Sequence, residues 1–426
     1  MRGIIGSINR YKSSINNFSL YFLTNIIQVV IGLVMNPIWA SNLSHKDYAI
    51  MGYFDSFGLL ILPLVSFSLF SYYAKEYFYL DDKGRKKVLS TLLIFQLVFG
   101  LFAMLILLGC LKVYFVTNNI SFPFYPYAYL SFVKVYIANV FIFYTLNLKL
   151  ERCAKKYFAV NMINLCVNTL LIYVFVVFLH KGALGNMFAI LLTAIIVSLY
   201  SLFKQLKKLQ FEFKILKKAL SFCWPLILSA ILTYFFTGFD KLLLEKVNDV
   251  YNFGLYNVGF KFASYFMVFT VAINTTFEPD FYEAIASRNK AKLIKVIILV
   301  NSIILIPIFI FIFSSDFVVG ILTNFRYVAA AHYSRILVLS NVKQSISFTL
   351  STVIVALGYS RISLVEKMIG TAFTIILYIF LIRNYGFYGA AWGNVLCYLF
   401  MSIVSLFILV YLYRNKYYNK LKPTDK

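Results

Sequence analysis

Six charged residues stand inside long apolar runs of this chain: Lys134, Lys261, Arg335 and Lys343 are basic, Asp55 and Asp240 acidic. An ionisable side chain at the centre of a bilayer costs about 2.5–3.5 kcal/mol on insertion scales, so four cations facing lipid would cost on the order of 10 kcal/mol. The less costly arrangement turns them toward an internal, hydrated chamber. There an ammonium acts as a point charge and a guanidinium as a fork for phosphate or carboxylate oxygens. The chemistry expected of Lys134, Lys261, Arg335 and Lys343 is therefore anion binding in a positively lined cavity. Asp55 and Asp240 are the candidates for binding a coupling ion, a proton or sodium. Simpler roles stand beside these. Arg335 lies about two turns from a helix end and can snorkel to the interface. Asp55 and Lys261, at comparable depths in paired helices, can neutralise each other. Asp240 and Lys241 can form an orienting pair at the outer rim.

The elements that must carry these residues follow from composition. Of 426 residues 61% are hydrophobic and only 13% charged, and the mean hydropathy is +0.81; soluble domains are about 45–50% apolar and about 25% charged. Apolar runs of 18 or more residues recur, each long enough to cross about 30 Å of hydrocarbon as a helix. The chain is read as an all-α polytopic membrane protein. A net charge of +24 would suggest nucleic acid in a soluble protein. Here it has a topological cause, because cytoplasmic loops collect Lys and Arg, and no nucleic-acid partner is expected. The five cysteines (Cys110, Cys153, Cys166, Cys223, Cys397) form no CxxC pair, and His45, His180 and His332 lie far apart. Neither pattern suits a disulfide framework or a metal site, and no cofactor is expected. The first apolar run follows 17 polar or mixed residues and is too long for a cleaved leader.

Twelve transmembrane helices are predicted, over residues 18–40, 48–73, 88–111, 127–148, 158–179 and 186–203, then 220–244, 253–277, 296–314, 327–357, 363–382 and 388–413. Pro63 is expected to kink the second. Gly32, Pro37, Pro225 and Pro307 offer further places to bend. Charged loops are expected over 81–87 and 278–295. The stretch KQLKKLQFEFKILKK (204–218) carries six lysines and one glutamate and is read as a solvated cytoplasmic connector between two halves. The termini and the loops on their side hold 29 Lys and Arg, and the opposite loops 7. That asymmetry places both ends in the cytoplasm. The expected domains are an N-terminal six-helix bundle (1–203), the basic linker (204–219), a C-terminal six-helix bundle (220–413) and a basic cytoplasmic tail (414–426).

The two halves repeat. NTLLIYVFVVFLHKGALGNMFAILL and GTAFTIILYIFLIRNYGFYGAAWGNVL each place a G-x-x-G (Gly182/Gly185; Gly386/Gly389) between two apolar runs. This suits a tight turn using backbone angles open to glycine. DYAIMGYF and DVYNFGLYNVGF likewise correspond at the starts of the second and eighth helices. Six helices per half is an even number, so the halves share one orientation. The predicted symmetry is a pseudo-two-fold along the membrane normal, and it puts the counterpart of Lys134 between Arg335 and Lys343.

On these elements the chain resembles a known family. FDKLLLEKVNDVYNFGLYNVGFKFA, FEPDFYEA, RYVAAAHYSRILVLS and NYGFYGAAWGN are similar to the polysaccharide transporter branch of the MOP (MATE-like) flippase superfamily, the Wzx-type O-antigen or capsule repeat-unit flippases. Gly254-Leu255-Tyr256 and Gly389-Ala390-Ala391 match the family well; Asp240-Lys241 stands where it usually has Asp-Arg. The resemblance implies a flippase of the bacterial inner membrane. Its substrate would be an undecaprenyl-diphosphate-linked oligosaccharide used to build lipopolysaccharide O-antigen, capsule or exopolysaccharide. Membrane lipid, a polysaccharide polymerase and a chain-length regulator are the partners this role implies. A multidrug or cation exporter of the same superfamily is the nearest alternative; four basic against two acidic intramembrane residues speak against it. A membrane enzyme of glycan assembly would need a catalytic cluster on a large outer loop, and no outer loop exceeds roughly 15 residues. A lipid II flippase would usually have fourteen helices.

Overall fold

The computed structural model describes residues 2–205, 210–287, 289–357 and 359–415. The helices are α1 (Arg2–Asn42), α2 (His45–Ser66), α3 (Leu69–Glu76), α4 (Asp82–Asn118), α5 (Tyr127–Leu150), α6 (Ala154–Ile172), α7 (Gly182–Gln205), α8 (Phe213–Thr237), α9 (Phe239–Glu245), α10 (Val250–Ala286), α11 (Lys290–Leu322), α12 (Ala330–Ala356) and α13 (Ser360–Asn415). A 3-10 turn (Tyr77–Tyr79) follows α3, and a π turn (Tyr173–Phe178) extends α6. Among the described residues, ten helical stretches are long and apolar enough to cross a membrane. The protein is an all-helical, multi-pass membrane protein. One of the ten, Ile362–Leu412, is broken at Gly386, where φ is 54° and ψ −129°. α12, with Arg335 and Lys343, is not among the ten.

The chain forms two compact units, Met1–Tyr234 and Phe235–Lys426. In the first, α5 packs on α7 and on α2, α1 packs on α6, and α4 on α2. Leu69, Tyr73, Leu92, Leu93, Phe143 and Cys223 are buried in one cluster joining α3, α4, α5 and α8. In the second, α12 is surrounded by α10, α11 and α13. Gly259 permits the tight α10–α12 approach, since a Cβ there would meet Ala330 O and Ser334 N at 3.0 Å.

Helix starts are set by short polar side chains that take the orphan N–H groups. Ser44 and Asp47 form a capping box on α2. Asp81, Asp249 and Asn289 cap α4, α10 and α11, accepting the N–H of Gly84, Asn252 and Lys292, each at 2.9 Å. The segments 81–87 and 278–295, expected as loops, are therefore mostly helix. Hydropathy sees only the part of a helix that lies in hydrocarbon, while its hydrogen-bond ladder runs on into water. The second predicted helix is also two. Its break falls at Phe67 and Ser68, both left-handed with φ of 48° and 49°, rather than at Pro63, which lies within α2.

The glycine turns meet expectation. Gly182 and Gly386, 204 residues apart, both have φ of +54°. Gly185 and Gly389 pack against the carbonyls of Phe175 and Leu381, leaving no room for a side chain. Asp47 Oδ1 accepts the Ala183 N–H at 2.7 Å, so one carboxylate caps α2 and fixes the turn before α7. A Cβ on Gly182 would come 2.5 Å from that oxygen, whereas one on Gly386 would meet nothing within 4 Å. Alanine at either should cost about 1–3 kcal/mol in backbone strain. Gly182→Ala should lower the melting temperature further than Gly386→Ala, because it also displaces Asp47. Equal melting shifts in detergent would contradict the Asp47 contact.

The connector is pinned where it is described. Residues 206–209, with Lys207 and Lys208, lie outside the described residues, as does the tail from 416 onward. Gln210 N–H donates to Ser90 Oγ at 2.9 Å and Glu212 N–H to Thr91 Oγ1 at 3.2 Å. Lys87 Nζ lies 2.5 Å from Glu212 Oε2. That hydrogen bond holds the Glu212 carboxyl below its ordinary range, with Lys87, Lys214 and Lys218 adding charge. A depressed carboxyl stabilises the fold above its unfolded value and loses that contribution as pH falls through the folded one. The wild type should therefore melt above Glu212→Gln at pH 7, and the gap should close in acid. A gap unchanged across the acid range would contradict this strap.

Candidate substrate site

Lys134 projects from the middle of α5, and its Nζ donates to Asp55 Oδ1 on α2 at 2.9 Å. One turn back, Ser131 Oγ donates to Phe54 O at 3.0 Å, so two neighbouring bonds fix the α2–α5 crossing. The pair is uneven: the Lys134 side chain is 25% exposed and Asp55 58%. Asp55 thus finds its partner inside its own half, in Lys134, where the sequence pairs it with Lys261.

In the second unit, Lys343 stands on α12 between two residues that bind α10. Asn341 Nδ2 donates to Ala263 O at 2.9 Å, and Ser345 Oγ is 3.1 Å from Asn274 Nδ2. Thr349 Oγ1 donates to Asn274 Oδ1 at 3.2 Å. From the other side Ser402 Oγ donates to Lys343 O at 3.2 Å. The backbone of Lys343 is therefore held by neighbours on α10 and α13, and its half-buried side chain has no acidic partner among the described residues. Lys261, on α10, is also half-buried.

Arg335 is differently occupied. Its Nε donates to Ser315 Oγ and its Nη2 pairs with Asp316, both on α11. The guanidinium is thus engaged through two of its nitrogens and is not an open fork. Asp240, on α9, is only 1% exposed, so the Asp240–Lys241 pair is buried within the protein. Its Oδ2 accepts the Tyr256 hydroxyl at 2.5 Å, and Lys241 Nζ lies 3.8 Å from Oδ1 and 3.5 Å above the Phe260 ring.

Three residues escape the sequence reading. Asp316 lies past the predicted end of its helix at 314, and Lys367 sits inside α13 although it counts there with the preceding loop. Glu366 is the third, 1% exposed, with Oε1 against Ser405 Oγ and no hydrogen-bond partner on Oε2. Its signal was available: a glutamate within the predicted span 363–382. Adding Asp316, Glu366 and Lys367 to the six charges singled out in the sequence gives five basic against four acidic within these helices, so the basic excess that separates an anion carrier from a cation exporter is nearly gone.

An aromatic recess of about 340 Å³ lies beside the Gly386 turn, lined by Asn252, His332, Tyr333, Phe387 and Tyr388. Tyr333 and Tyr388 have ring centroids 5.1 Å apart, and the Tyr333 hydroxyl donates to Asn252 Oδ1 at 3.1 Å. Ring faces beside polar atoms suit a sugar.

This helical arrangement is a known transporter fold. An inward-facing multidrug resistance MATE family transporter of the MOP superfamily superposes with a TM-score of 0.73 at 18% identity, over 92% of this chain and 96% of its own. A MOP superfamily transporter from Pyrococcus furiosus, described as having a binding pocket of reverse polarity, gives 0.62 at 16% identity over 94% and 96%. The lipid II flippase MurJ in an inward closed conformation gives 0.69 at 15% identity over 92% and 87%. No curated protein matches in sequence. Residues 81–332, more than half the chain, match the family of polysaccharide biosynthesis proteins, and the protein belongs to that family.

Proposed function

We propose that this protein is a flippase, not an enzyme. It carries undecaprenyl-diphosphate-linked oligosaccharide repeat units across the bacterial cytoplasmic membrane for O-antigen, capsule or exopolysaccharide synthesis. The observation that carries the reading is the conjunction of a polysaccharide-biosynthesis sequence family with a MOP-type fold. A polyprenyl tail can remain in the bilayer, but sugars and a diphosphate cannot cross hydrocarbon unaided. The fold class also suits alternating access, in which one half rocks against the other.

Twelve crossings follow when the two arms of α13 are counted separately and α12 is added to the other nine spans. The recurrence of φ +54° at Gly182 and Gly386 supports the internal repeat from which like-oriented halves are proposed. Both termini are placed in the cytoplasm by the distribution of Lys and Arg. Domains follow as bundles over 1–203 and 220–413, the linker 204–219 and the tail 414–426. Lys134 in the first unit and Lys343 and Lys261 in the second are the proposed donors to the diphosphate. Arg335 is the least available of the four cations, since its Nε and Nη2 are engaged by Ser315 and Asp316. Asp240 is the stronger candidate for ion coupling, being buried beside Lys241 and Tyr256; Asp55 serves by releasing Lys134 to substrate. Deleting the gene should leave lipid-linked repeat units accumulating on the cytoplasmic face with surface glycan lost. Normal surface glycan in a deletion strain that lacks any second flippase would overturn the proposal.

A further inference from the structure

Part of the basic connector region lines a pocket. Lys75, at the end of α3, and Lys217 and Lys218, in the first turns of α8, border a cavity of about 590 Å³ together with Tyr72, Glu76 and Phe222. The three lysines are exposed. Lys75 Nζ sits 4.5 Å above the Phe222 ring and 3.6 Å from Glu76 Oε1, too long for a hydrogen bond. Three ammonium groups against one carboxylate leave a net charge of +2 around one opening.

The surroundings place the opening at a membrane surface. Phe78 and Tyr79, just after α3, and Trp224, two turns along α8 from Lys217, are all exposed. Aromatic side chains of this kind collect at the level of lipid headgroups. Further along α8, Leu226 and Leu228 are exposed as well, as an acyl-facing surface requires. Lysines flanked by aromatic anchors, with apolar wall further along α8, form the pattern that binds an anionic headgroup.

We propose that this pocket, formed by α3 and α8, binds the phosphate of an anionic phospholipid, held by Lys75, Lys217 and Lys218 with its acyl chains along α8. The lysines are the point-charge donors. The phosphate competes with Glu76 for Lys75, whose ammonium rests over the Phe222 ring. This site lies within the first unit and is independent of the carrier role of Lys134 and Lys343.

The test is lipid retention. The full-length protein is reconstituted in vesicles of equal phosphatidylglycerol and phosphatidylcholine, extracted gently, and its bound lipid counted by native mass spectrometry. The wild type should retain phosphatidylglycerol preferentially, and the preference should fall by roughly fivefold for each lysine replaced in Lys75→Gln, Lys217→Gln and Lys218→Gln. Lys155→Gln/Lys156→Gln, which removes two exposed lysines of α6, should leave the preference intact. Equal loss in that control, or no loss in the triple variant, overturns the proposal. So does displacement of the lipid by inorganic phosphate or glycerol phosphate at matched concentration, which would make the pocket a site for soluble anions. Unchanged melting of the triple variant shows that retention, not folding, is being read.

Discussion

Replacing Lys134 and Lys343 together by alanine should remove surface glycan while leaving the protein in the membrane. A charge-assisted hydrogen bond contributes about 1.5–3 kcal/mol, so each lysine lost from a diphosphate weakens binding by roughly tenfold to a hundredfold. The two are not equivalent. Lys343 has no acidic partner among the described residues, so its loss removes a donor. Lys134 is held by Asp55 at 2.9 Å, so its loss also leaves a carboxylate, 58% exposed, where the substrate's own negative charge must pass. Asp55→Asn added to Lys134→Ala should therefore recover part of the lost glycan, while Asp55→Asn added to Lys343→Ala should not. Unchanged glycan in the double alanine variant, at normal protein level, would remove both lysines from the substrate site.

The second large effect belongs to Asp240. Asp240→Ala takes the carboxylate from beside a buried ammonium and the acceptor from the Tyr256 hydroxyl. Breaking a buried pair by deleting one partner costs about 3–5 kcal/mol, a large share of typical stability. The variant should be poorly retained in the membrane and melt well below wild type in detergent. Asp240→Asn separates structure from coupling, because the amide still accepts from Tyr256 but carries no charge and takes no proton. If Asp240 couples transport to an ion gradient, the Asp240→Asn protein that reaches the membrane transports without dependence on that gradient, or not at all. Full gradient-driven transport by Asp240→Asn would leave the residue a purely structural role.

The apolar spans were readable because a helix in hydrocarbon must satisfy every backbone group internally, and only long apolar runs do so. The turns at Gly182 and Gly386 were readable because a positive φ narrows the choice to glycine. What failed has equally specific causes. The helical starts of α4 and α11 are charged, so they read as loops although Asp81 and Asn289 cap them. Phe67 and Ser68 interrupt the second predicted helix, between α2 and α3, with left-handed backbone that neither residue type announces. Among site residues, cations in apolar runs stood out by their cost, but their partners did not. Asp316 fell beyond the hydropathy boundary and Lys367 into an adjacent loop, so the neutralisation of Arg335 and the balance of intramembrane charge became visible only with side chains placed. The connector's lysines read as solvated charge; that three lysines surround one pocket depends on α3, 140 residues earlier, being folded beside α8.

The central claim is movement of a diphosphate-linked oligosaccharide from one leaflet to the other. Its most direct test uses purified protein in vesicles carrying a polyprenyl-diphosphate oligosaccharide in the inner leaflet, followed by a glycan-cleaving enzyme that cannot enter. The protected glycan should become cleavable with wild-type protein and stay protected with the Lys134→Ala/Lys343→Ala variant. Glycan that stays protected with active wild-type protein, or is exposed equally by both, would contradict it.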